Sequence, residues 1–454
     1  MNNKAIRLFS AIITLVSFTN ARGQNVTPYM LGDAWSGNTV NTVIFRHHAI
    51  ITQQNYQFTS YYADTASMVI VRRNLTNNKI ESHTIVGTYN IYDLHNSISM
   101  GIDSLGYIHI SYNHHGNKLN YRRSLHPYQI TQWTDEIAMT GVNENGITYP
   151  AFVVNPVTKT LQFLYRRGGS SNGQACMKQY TVKDSTWRDI HQPLIDGISK
   201  ERLKRSNPYW NHLAIDSKGN MHISYVWRTV SIMKDSVWFI NNIGIDYTRS
   251  PNNGIDFYTI NNVKQTLPIT LTNSERVWAI SLASNLINQT SMAVDSSGNP
   301  HITYYSNDSD DIPQYMHLWH DGKKWNNSII SNRTNRFDLS GSGTLRLPIS
   351  RPEIVIDTVN TVYVIFRADY TDDKMSVIAL YPPEYSFEPE NVKTIWTDSL
   401  GNAEPIIDRL YWQQTNKLTM LVQYNNELGG DRKRSFEQAP IYLIDCDIIS
   451  LFDN

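Results

Sequence analysis

A short phrase recurs along this 454-residue chain and restricts the folds open to it. Its clearest copies occupy residues 101–112, 214–225 and 293–304. Each copy has an apolar run, an aspartate followed three residues later by glycine, and then an alternating stretch that contains histidine and tyrosine. Such a run, turn and alternating run predict a β-hairpin. A hairpin repeated at long intervals indicates a fold built from repeated units.

Four weaker copies of the hairpin fill the gaps between the clear ones. The seven copies begin near residues 49, 98, 151, 212, 291, 353 and 405. These intervals leave room for four strands and their loops, and no long helical period competes with them. A β-helix or a sandwich would show shorter and more even spacing. The sequence therefore predicts an all-β fold, a seven-bladed β-propeller with four-stranded antiparallel blades. The longest interval, 212–291, predicts a large loop between blades four and five.

The first 23 residues have the pattern of a secretory signal peptide. Lys4 and Arg7 precede a short apolar core, and Ala21 and Gly23 frame a small-x-small cleavage site. The apolar core is too short to cross a bilayer. We therefore expect export to the periplasm or the extracellular space, with residues 24–454 forming a single propeller domain.

The charge balance excludes some classes of partner. Lys and Arg together number 40, as do Asp and Glu, so no net field draws the chain to nucleic acid or to an anionic membrane. A monomer is expected. Cys176 and Cys446 are the only cysteines and form no CxxC pair, so a thiolate metal site is not supported and a disulfide is left open. No P-loop, HExxH or calcium-loop motif is present, and no cofactor or metal is predicted.

Regularity removes many polar residues from the list of candidate catalytic groups. Histidines occupy one position of the repeat and are expected to pack between strands, namely His109, His222 and His301. Aspartates occupy its turn and are expected to bond their own backbone, namely Asp103, Asp216, Asp295 and Asp357. No pair of carboxylates stands apart from the repeat as an acid and base couple.

One group of residues that departs from the repeat carries candidate proton-transfer chemistry. It contains His95, His114, His115, Tyr149 and Arg166. Imidazole and phenol groups exchange protons, and a guanidinium neutralises a carboxylate such as that of a uronate sugar. The histidine pair follows a repeat strand, which predicts a loop at one mouth of the ring. A single histidine there is more often structural, but the whole set favours a site.

A second histidine pair and a recurring arginine also stand out. His47 and His48 follow Arg46 beside the first hairpin, and neighbouring strand residues point to opposite faces, so only one of the pair can face a pocket. Taken alone, this pair is more simply explained as structural. An arginine also ends the second hairpin strand of three copies, at Arg166, Arg228 and Arg367. Such arginines would suit an acidic sugar, or they cap strands and pair with carboxylates.

The departures from the repeat resemble a known group, the BNR-4 type propellers. The segments that carry the resemblance are residues 41–46, 95–124, 148–150 and 165–166. This group contains ulvan lyases, rhamnose–glucuronate lyases, and glycoside hydrolase family 145, whose α-L-rhamnosidases act on L-rhamnose α-1,4-linked to glucuronic acid. The resemblance covers nearly the whole chain after the leader, and its motifs are more specific for the group than for the reaction.

For the lyases, the resemblance implies catalysis by His95, His115 or His114, Tyr149 and Arg166. A histidine or the tyrosine would remove the C5 proton of the uronate, and the other would protonate the leaving O4. The arginine would neutralise the carboxylate and so make C5 acidic. The stretch from Tyr149 to Arg166 is one residue longer than is usual in that group.

For family 145, the resemblance implies a site on the opposite face with a single catalytic histidine, which matches His48. Arg46 and His47 beside it would bind substrate. Because relatives without this histidine commonly have glutamine, its presence favours a secreted, retaining exo-α-L-rhamnosidase that cleaves rhamnose-α-1,4-glucuronate at the ends of arabinogalactan-type glycans. The alternatives are a lyase of the rhamnose–glucuronate or ulvan type and a non-catalytic glycan-binding propeller. Each reading implies a glycan partner that contains rhamnose and glucuronate.

Overall fold

Seven antiparallel sheets surround a central channel in the computed structural model, which describes residues 26–201, 204–341, 343–431 and 433–453. The predicted seven-bladed β-propeller is confirmed. The predicted signal peptide lies outside the described residues. No helix in the described part of the chain is long and apolar enough to cross a membrane.

Strands are numbered along the chain, and each blade is given from the channel outward. The first strand is β1 (Val26–Trp35). Blade one contains β2 (Ile50–Gln53), β3 (Tyr56–Tyr62), β4 (Ser67–Asn74) and β5 (Ile80–Val86). Blade two contains β6 (Ser99–Ile102), β7 (Ile108–Ser111) and β9 (Tyr121–Arg123), with β8 (His115–Asn117) in the loop between the last two. Blade three contains β10 (Ile147–Val154), β11 (Leu161–Gly169), β12 (Asn172–Thr181) and β13 (Thr186–Asp196).

The second half of the ring repeats this plan. Blade four contains β14 (Asn207–Trp210), β15 (Ala214–Ile215), β16 (Met221–Arg228), β19 (Asn242–Ser250) and β21 (Glu275–Trp278). Its additions are a hairpin of β17 (Ile232–Lys234) and β18 (Val237–Phe239), and β20 (Ile269–Thr270), which pairs with β13. Blade five contains β22 (Ser291–Val294), β23 (Pro300–Asn307), β24 (Pro313–His320) and β25 (Trp325–Ile329). Blade six contains β26 (Glu353–Ile356), β27 (Val362–Arg367), β28 (Met375–Leu380) and β29 (Val392–Trp396). Blade seven contains β30 (Ile406–Ile407), β31 (Leu418–Gln423) and β32 (Gln438–Cys446), and β1 completes it.

Two details differ from the sequence prediction. Blade two has three strands rather than four, because its outer edge is reduced to a single bridge between Ser124 and Trp133. The extra length expected between blades four and five lies inside blade four instead. It forms the β17–β18 hairpin and the segment 251–274 between β19 and β21.

The ring closes where the two ends of the described chain meet. Strand β1 pairs antiparallel with β32, in a register that sets Val26 against Cys446 and Trp35 against Gln438. This pairing supplies the outer strand of blade seven and so covers the outer side of β32. Both cysteines are free and buried.

The repeated polar residues have the structural roles that their regularity predicts. The Asp103 carboxylate accepts the backbone N–H groups of Leu105 (2.9 Å) and Tyr107 (3.0 Å), and Gly106 completes the turn with a φ of +90°. The other turn aspartates bond in the same way. The repeat histidines are buried, and each pairs with a ring on the next strand of its blade: His109 with Tyr121, His222 with Tyr247 and His301 with His317.

One helix crosses an end of the channel. Helix α1 (Arg409–Thr415) follows β30 and is capped by the Asp408 carboxylate, which accepts the backbone N–H of Tyr411 (3.0 Å). Trp412 donates to the Ile356 carbonyl (2.8 Å), and Gln413 to the Ile215 carbonyl (3.2 Å). The helix therefore joins blade seven to blades six and four. Short 3₁₀ turns occupy Leu94–Asn96, Asp369–Thr371, Pro389–Asn391 and Ile449–Leu451.

Candidate active site

The channel ends in two mouths of very different size. Strand β10 shows the division, because Tyr149 near its start lines a wide cleft and residues 152–154 at its end line a small pocket. The cleft, called the open mouth below, has a volume of about 530 Å³. The pocket, called the plugged mouth, has a volume of about 30 Å³ and lies under α1.

Asp93 organises two histidines of the open mouth. It caps the 3₁₀ turn that carries His95, and its carboxylate accepts the backbone N–H of that residue (2.9 Å). The same carboxylate lies 2.6 Å from Nδ1 of His95 and 2.5 Å from Nδ1 of His115. The two imidazole rings stack with centroids 4.1 Å apart. One carboxylate thus fixes both rings.

The charge on Asp93 defines which ring nitrogens carry protons. Burial raises the pKa of Asp93, but the hydrogen bonds from His115 and His95 outweigh it and hold the pKa well below its usual range. An ionised carboxylate only accepts, so both Nδ1 atoms donate to it, and a neutral ring keeps a lone pair on Nε2. Burial also lowers the pKa of His95, against the opposing effect of Asp93. His95 is therefore a neutral acceptor near pH 7.

Tyr149 lies beside the histidines because strand β10 is irregular there. The pairing of β10 with β11 shifts between Thr148 and Ala151, and Tyr149 has a φ of +55°. Its ring centre lies 5.7 Å from that of His95. Burial, reinforced by Tyr209, raises the pKa of Tyr149 well above its usual value despite the opposing effect of Arg166. Tyr149 therefore keeps its proton at neutral pH.

Arg166 supplies a positive charge next to Tyr149. Its guanidinium carbon lies 4.7 Å from the centre of the Tyr149 ring, and Nη1 donates to the Tyr209 hydroxyl (3.2 Å). Its Nε is buried without a hydrogen-bond partner. Within the described residues, Arg166 forms no ion pair with a carboxylate. Its charge is available to an anionic ligand.

Two further arginines line the open mouth, and their partners differ. Arg351 forms two hydrogen bonds with the Glu404 carboxylate (2.8 and 2.6 Å), so its charge is compensated. Among the described residues, Arg228 donates only to the amide oxygens of Asn242 (2.6 Å) and Asn288 (3.0 Å).

The side chains of His114 and His115 point in different directions, as those of neighbouring residues on an extended chain do. His115 lines the open mouth with its side chain 38% exposed. His114 is fully buried, and its Nε2 accepts the backbone N–H of Asn120 (2.7 Å). Burial lowers the pKa of His114 to about 3. His114 therefore holds the loop, and only His115 reaches the cleft.

The open mouth also contains a group of side chains that can hold a metal ion. The potential ligand atoms of Asp93, His95, His115 and Asp431 all lie within 4.8 Å of one another. Asp431 comes from the loop after β31 and accepts hydrogen bonds from the backbone N–H (3.1 Å) and the hydroxyl (2.5 Å) of Thr344. Imidazole and carboxylate ligands of this kind suit zinc or another divalent cation.

The plugged mouth holds the other histidine pair. His47 and His48 line it together with His212 and with Arg409 and Gln413 of α1. The rings of His47 and His212 lie 4.5 Å apart. Burial, with a smaller contribution from Arg409, lowers the pKa of His48 to about 4, and Nδ1 of His48 has no hydrogen-bond partner in the part of the chain that the structure describes. The pocket has room for about one water molecule.

Arg46, expected to bind substrate, is part of the core. It is 1% exposed and donates to the backbone carbonyls of Ile98 (3.1 Å), Ser60 (2.8 Å) and Asn41. Burial lowers its pKa to about 10. The arginine joins blades one and two and lies outside both mouths.

Comparison with known proteins gives the family. The sequence profile of the BNR repeat-containing family matches residues 56–333, more than half of the chain. The chain belongs to this family. None of the curated proteins compared with this BNR-repeat propeller matches it.

Solved structures share the fold of this BNR-repeat propeller at low sequence identity. The polysaccharide lyase Uly1 is 14% identical, with a TM-score of 0.65 over 89% of this chain and 90% of its own. A PL25 ulvan lyase bound to -[GlcA(1-4)Rha3S]- is also 14% identical, with a TM-score of 0.65 over 93% of this chain and 96% of its own. At this identity the likeness shows the fold alone.

The structure adds residues that the sequence analysis of this BNR-repeat propeller missed. Asp93 stands two positions before His95, and Asp-x-His was the available signal. Tyr209 is the third residue of β14, and Tyr149 is the third residue of β10. This repeated position of tyrosine in two inner strands was the available signal for Tyr209. Arg351 precedes blade six and carried no signal.

Proposed function

We propose that the protein is a polysaccharide lyase that cleaves a glycan containing glucuronate and rhamnose by β-elimination at the uronate. The observation that carries the proposal is the convergence of His95, His115, Tyr149 and Arg166 in one open cleft, where the arginine lacks a carboxylate partner. The ulvan lyase of the same fold, bound to an oligosaccharide of glucuronate and rhamnose 3-sulfate, supports this choice of substrate. A polymeric substrate also agrees with the export expected from the leader.

Arg166 would make the reaction accessible by binding the uronate carboxylate. Removing the proton on C5 places negative charge next to that carboxylate, and an unpaired guanidinium stabilises both. The buried Nε of Arg166 lacks a partner, and its Nη2 makes no hydrogen bond within the described residues. These donors are free for carboxylate oxygens.

His95 would act as the base. Asp93 holds the proton on Nδ1, so Nε2 carries the lone pair that accepts the C5 proton. The lowered pKa of His95 keeps the ring neutral at pH 7. After the transfer, the imidazolium would be stabilised by the Asp93 carboxylate, as His115 is held by its other oxygen.

Tyr149 would act as the acid. Its raised pKa keeps the phenol protonated, so it can donate to the glycosidic O4 as the bond to C4 breaks. The electrons of the C5–H bond form the C4–C5 double bond, and those of the C4–O4 bond leave with the oxygen. No water is consumed. The phenolate then regains a proton from the histidine pair or from solvent.

The rhamnosidase reading, which was favoured from sequence, has less support. Its histidine, His48, lies in the plugged mouth, whose space of about 30 Å³ is far smaller than a sugar ring. Hydrolysis at His48 would first require α1 to move. The rhamnosidase therefore stays an untested prediction, as does a non-catalytic glycan-binding role.

Product analysis tests the proposal. Purified protein is incubated with an oligosaccharide of alternating glucuronate and rhamnose 3-sulfate, and the products are followed by ultraviolet absorbance and mass. A lyase gives an unsaturated uronate whose combined product mass equals that of the substrate. Free rhamnose with the mass of one added water would support the rhamnosidase, and binding without cleavage would support the glycan-binding role. Activity that EDTA abolishes and a divalent cation restores would show that the Asp93–Asp431 group works with a metal instead.

A further inference from the structure

The arginine that recurs toward the end of the second hairpin strand has one environment in blade six and another in blades three and four. Arg367 in blade six is 1% exposed and bonds to the Asp373 carboxylate (2.6 Å) and to the carbonyls of Ala403 (3.0 Å) and Leu347 (3.1 Å). Arg367 therefore stabilises the loops that contain these three residues. Arg166 and Arg228, at the equivalent positions of blades three and four, line the open mouth instead. The position therefore has a structural use in one blade and a different use in the other two.

Arg228 keeps an uncompensated charge. Its hydrogen bonds go to the neutral amides of Asn242 and Asn288, and its Nη1 makes none within the described residues. It takes part in no ion pair there. Because the two amides are neutral, they do not compensate the charge of the guanidinium. They fix its orientation, since both Nε and Nη2 form hydrogen bonds. A charged group kept half-buried without a counter-ion is costly unless a ligand supplies the opposite charge.

Arg166 and Arg228 both lie close to one ring, that of Tyr209. Their guanidinium carbons are 5.9 and 5.0 Å from the centre of the Tyr209 ring. Arg166 also lies over the Tyr149 ring, with its guanidinium carbon 4.7 Å from that ring centre. One cation therefore lies at the reacting group and the other is displaced along the cleft, toward Asn288 and Gln289. The two distances to the Tyr209 ring hold the guanidinium carbons within about 11 Å of each other, a separation that adjoining sugars of one chain can span.

We infer that Arg228 forms a second anion subsite, which binds a sulfate ester or a carboxylate on the sugar adjoining the uronate. The inference rests on the proposed function, because Arg166 is taken to bind the uronate itself. Elimination needs only one carboxylate to be neutralised, so a second uncompensated cation in the cleft selects the substrate and leaves the chemistry to Arg166. Free Nη1 donors suit a sulfate or carboxylate oxygen.

The test compares oligosaccharides that differ only in the neighbouring sugar. Rhamnose 3-sulfate, unsulfated rhamnose and a second uronate are each placed beside the reacting glucuronate, and both kcat/KM and the calorimetric affinity are measured. A charge-assisted contact of this kind is expected to favour the anionic neighbours roughly tenfold or more. Arg228→Gln should reduce that preference to near unity. Arg228→Lys should retain part of the preference, because it keeps the charge.

The matched control is Arg188→Gln, which removes an exposed arginine from β13 on the outside of blade three. It should keep the full preference. Equal losses on all three substrates in Arg228→Gln, or no preference in wild type, would overturn the inference. Affinity separates the two proposals: if no substrate is cleaved but wild type binds the anionic oligosaccharides more tightly and Arg228→Gln does not, the lyase proposal fails and the subsite stands. A preference for sulfate over carboxylate, or the reverse, identifies the anion.

Discussion

The two mouths of the channel each present neighbouring histidines, yet they differ in space and in charge. At the open mouth, His95 and His115 share the Asp93 carboxylate and border a cleft of about 530 Å³ that also contains Arg166 and Arg228. At the plugged mouth, His47 and His48 border about 30 Å³ beneath α1. There the cation is Arg409, and its charge is compensated by Glu353.

This difference shows what separates a reactive histidine from a structural one in a ring of repeated blades. Burial lowers the pKa of His95 and of His48 alike, so a neutral ring does not distinguish them. What distinguishes them is a carboxylate that fixes the tautomer, an arginine without a counter-ion, and room for a sugar. The open mouth has all three.

The largest expected effect comes from replacing single histidines of the two mouths by glutamine. His95→Gln and His115→Gln should each slow elimination by roughly 10²–10⁴-fold, as loss of a proton-transfer group does. His48→Gln should change it by less than about threefold, since His48 does not border the cleft. The measurement is the initial rate of unsaturated uronate formation. Loss of activity in His48→Gln alone would place the chemistry at the plugged mouth.

Arg166 should have the next largest effect. Arg166→Gln keeps a hydrogen-bond donor but removes the charge, so the rate should fall by roughly 10²–10³-fold, as when a stabilising donor is lost from a reacting anion. Steady-state kinetics should show the loss mainly in kcat, because the charge develops during the reaction. An unchanged kcat with a higher KM would show that Arg166 contributes to substrate binding and not to stabilisation of the transition state.

The cation of the plugged mouth is expected to act on stability instead. Arg409 donates to Ser291 (2.8 Å) and to the Glu353 carboxylate, which is 1% exposed. Arg409→Met leaves that carboxylate buried and unpaired, which should lower the free energy of unfolding by about 3–5 kcal/mol.

Denaturant titration and the elimination assay together check this prediction. The rate at low temperature should stay near that of wild type. The double variant Arg409→Met with Glu353→Leu should recover much of the lost stability, because no charge is then left buried. A single variant that unfolds normally but releases rhamnose would show that α1 gates a site at His48.

The smallest effect concerns acid stability. The folded-state pKa of His48 is about 4, below its usual 6.5, so the unfolded chain takes up this proton first on acidification. The free energy of unfolding should therefore fall as the pH drops from about 6.5 to about 4. His48→Gln should reduce that fall by roughly 1–3 kcal/mol, measured by urea titration at several pH values. The exposed His126→Gln is the control, and an equal slope in both would contradict the assignment.

The fold was largely predictable from sequence because the residues that form each hairpin turn are close together in the sequence. Asp103 bonds to residues two and four positions ahead, and Gly106 supplies the left-handed turn, so the pattern needs no distant partner. Five of the seven starts predicted from this pattern lie within one residue of the start of an inner strand, while 151 falls inside β10 and 212 between β14 and β15. The pairing of β1 with β32 had no such local signal, because it joins the two ends of the chain.

The site was predictable only in part, because its decisive contacts are long-range. His95, His115, Tyr149 and Arg166 were visible as departures from the repeat, and the structure brings them together. The choice between His115 and His114 depended on a bond from Asn120, and the standing of His48 depended on a helix inserted into the seventh copy. Neither the space under α1 nor the lack of an ion pair to Arg166 in the described structure can be deduced from spacing.

The pairing of β1 with β32 has a consequence for how the protein is made. Two strands that stand far apart in the sequence must find each other, with Val26 against Cys446. Contacts of such sequence separation form slowly, and until they form blade seven presents a bare edge to other chains. The ring can therefore lock only after both strands have been synthesised, and a chain that stops before β32 should leave blade seven incomplete.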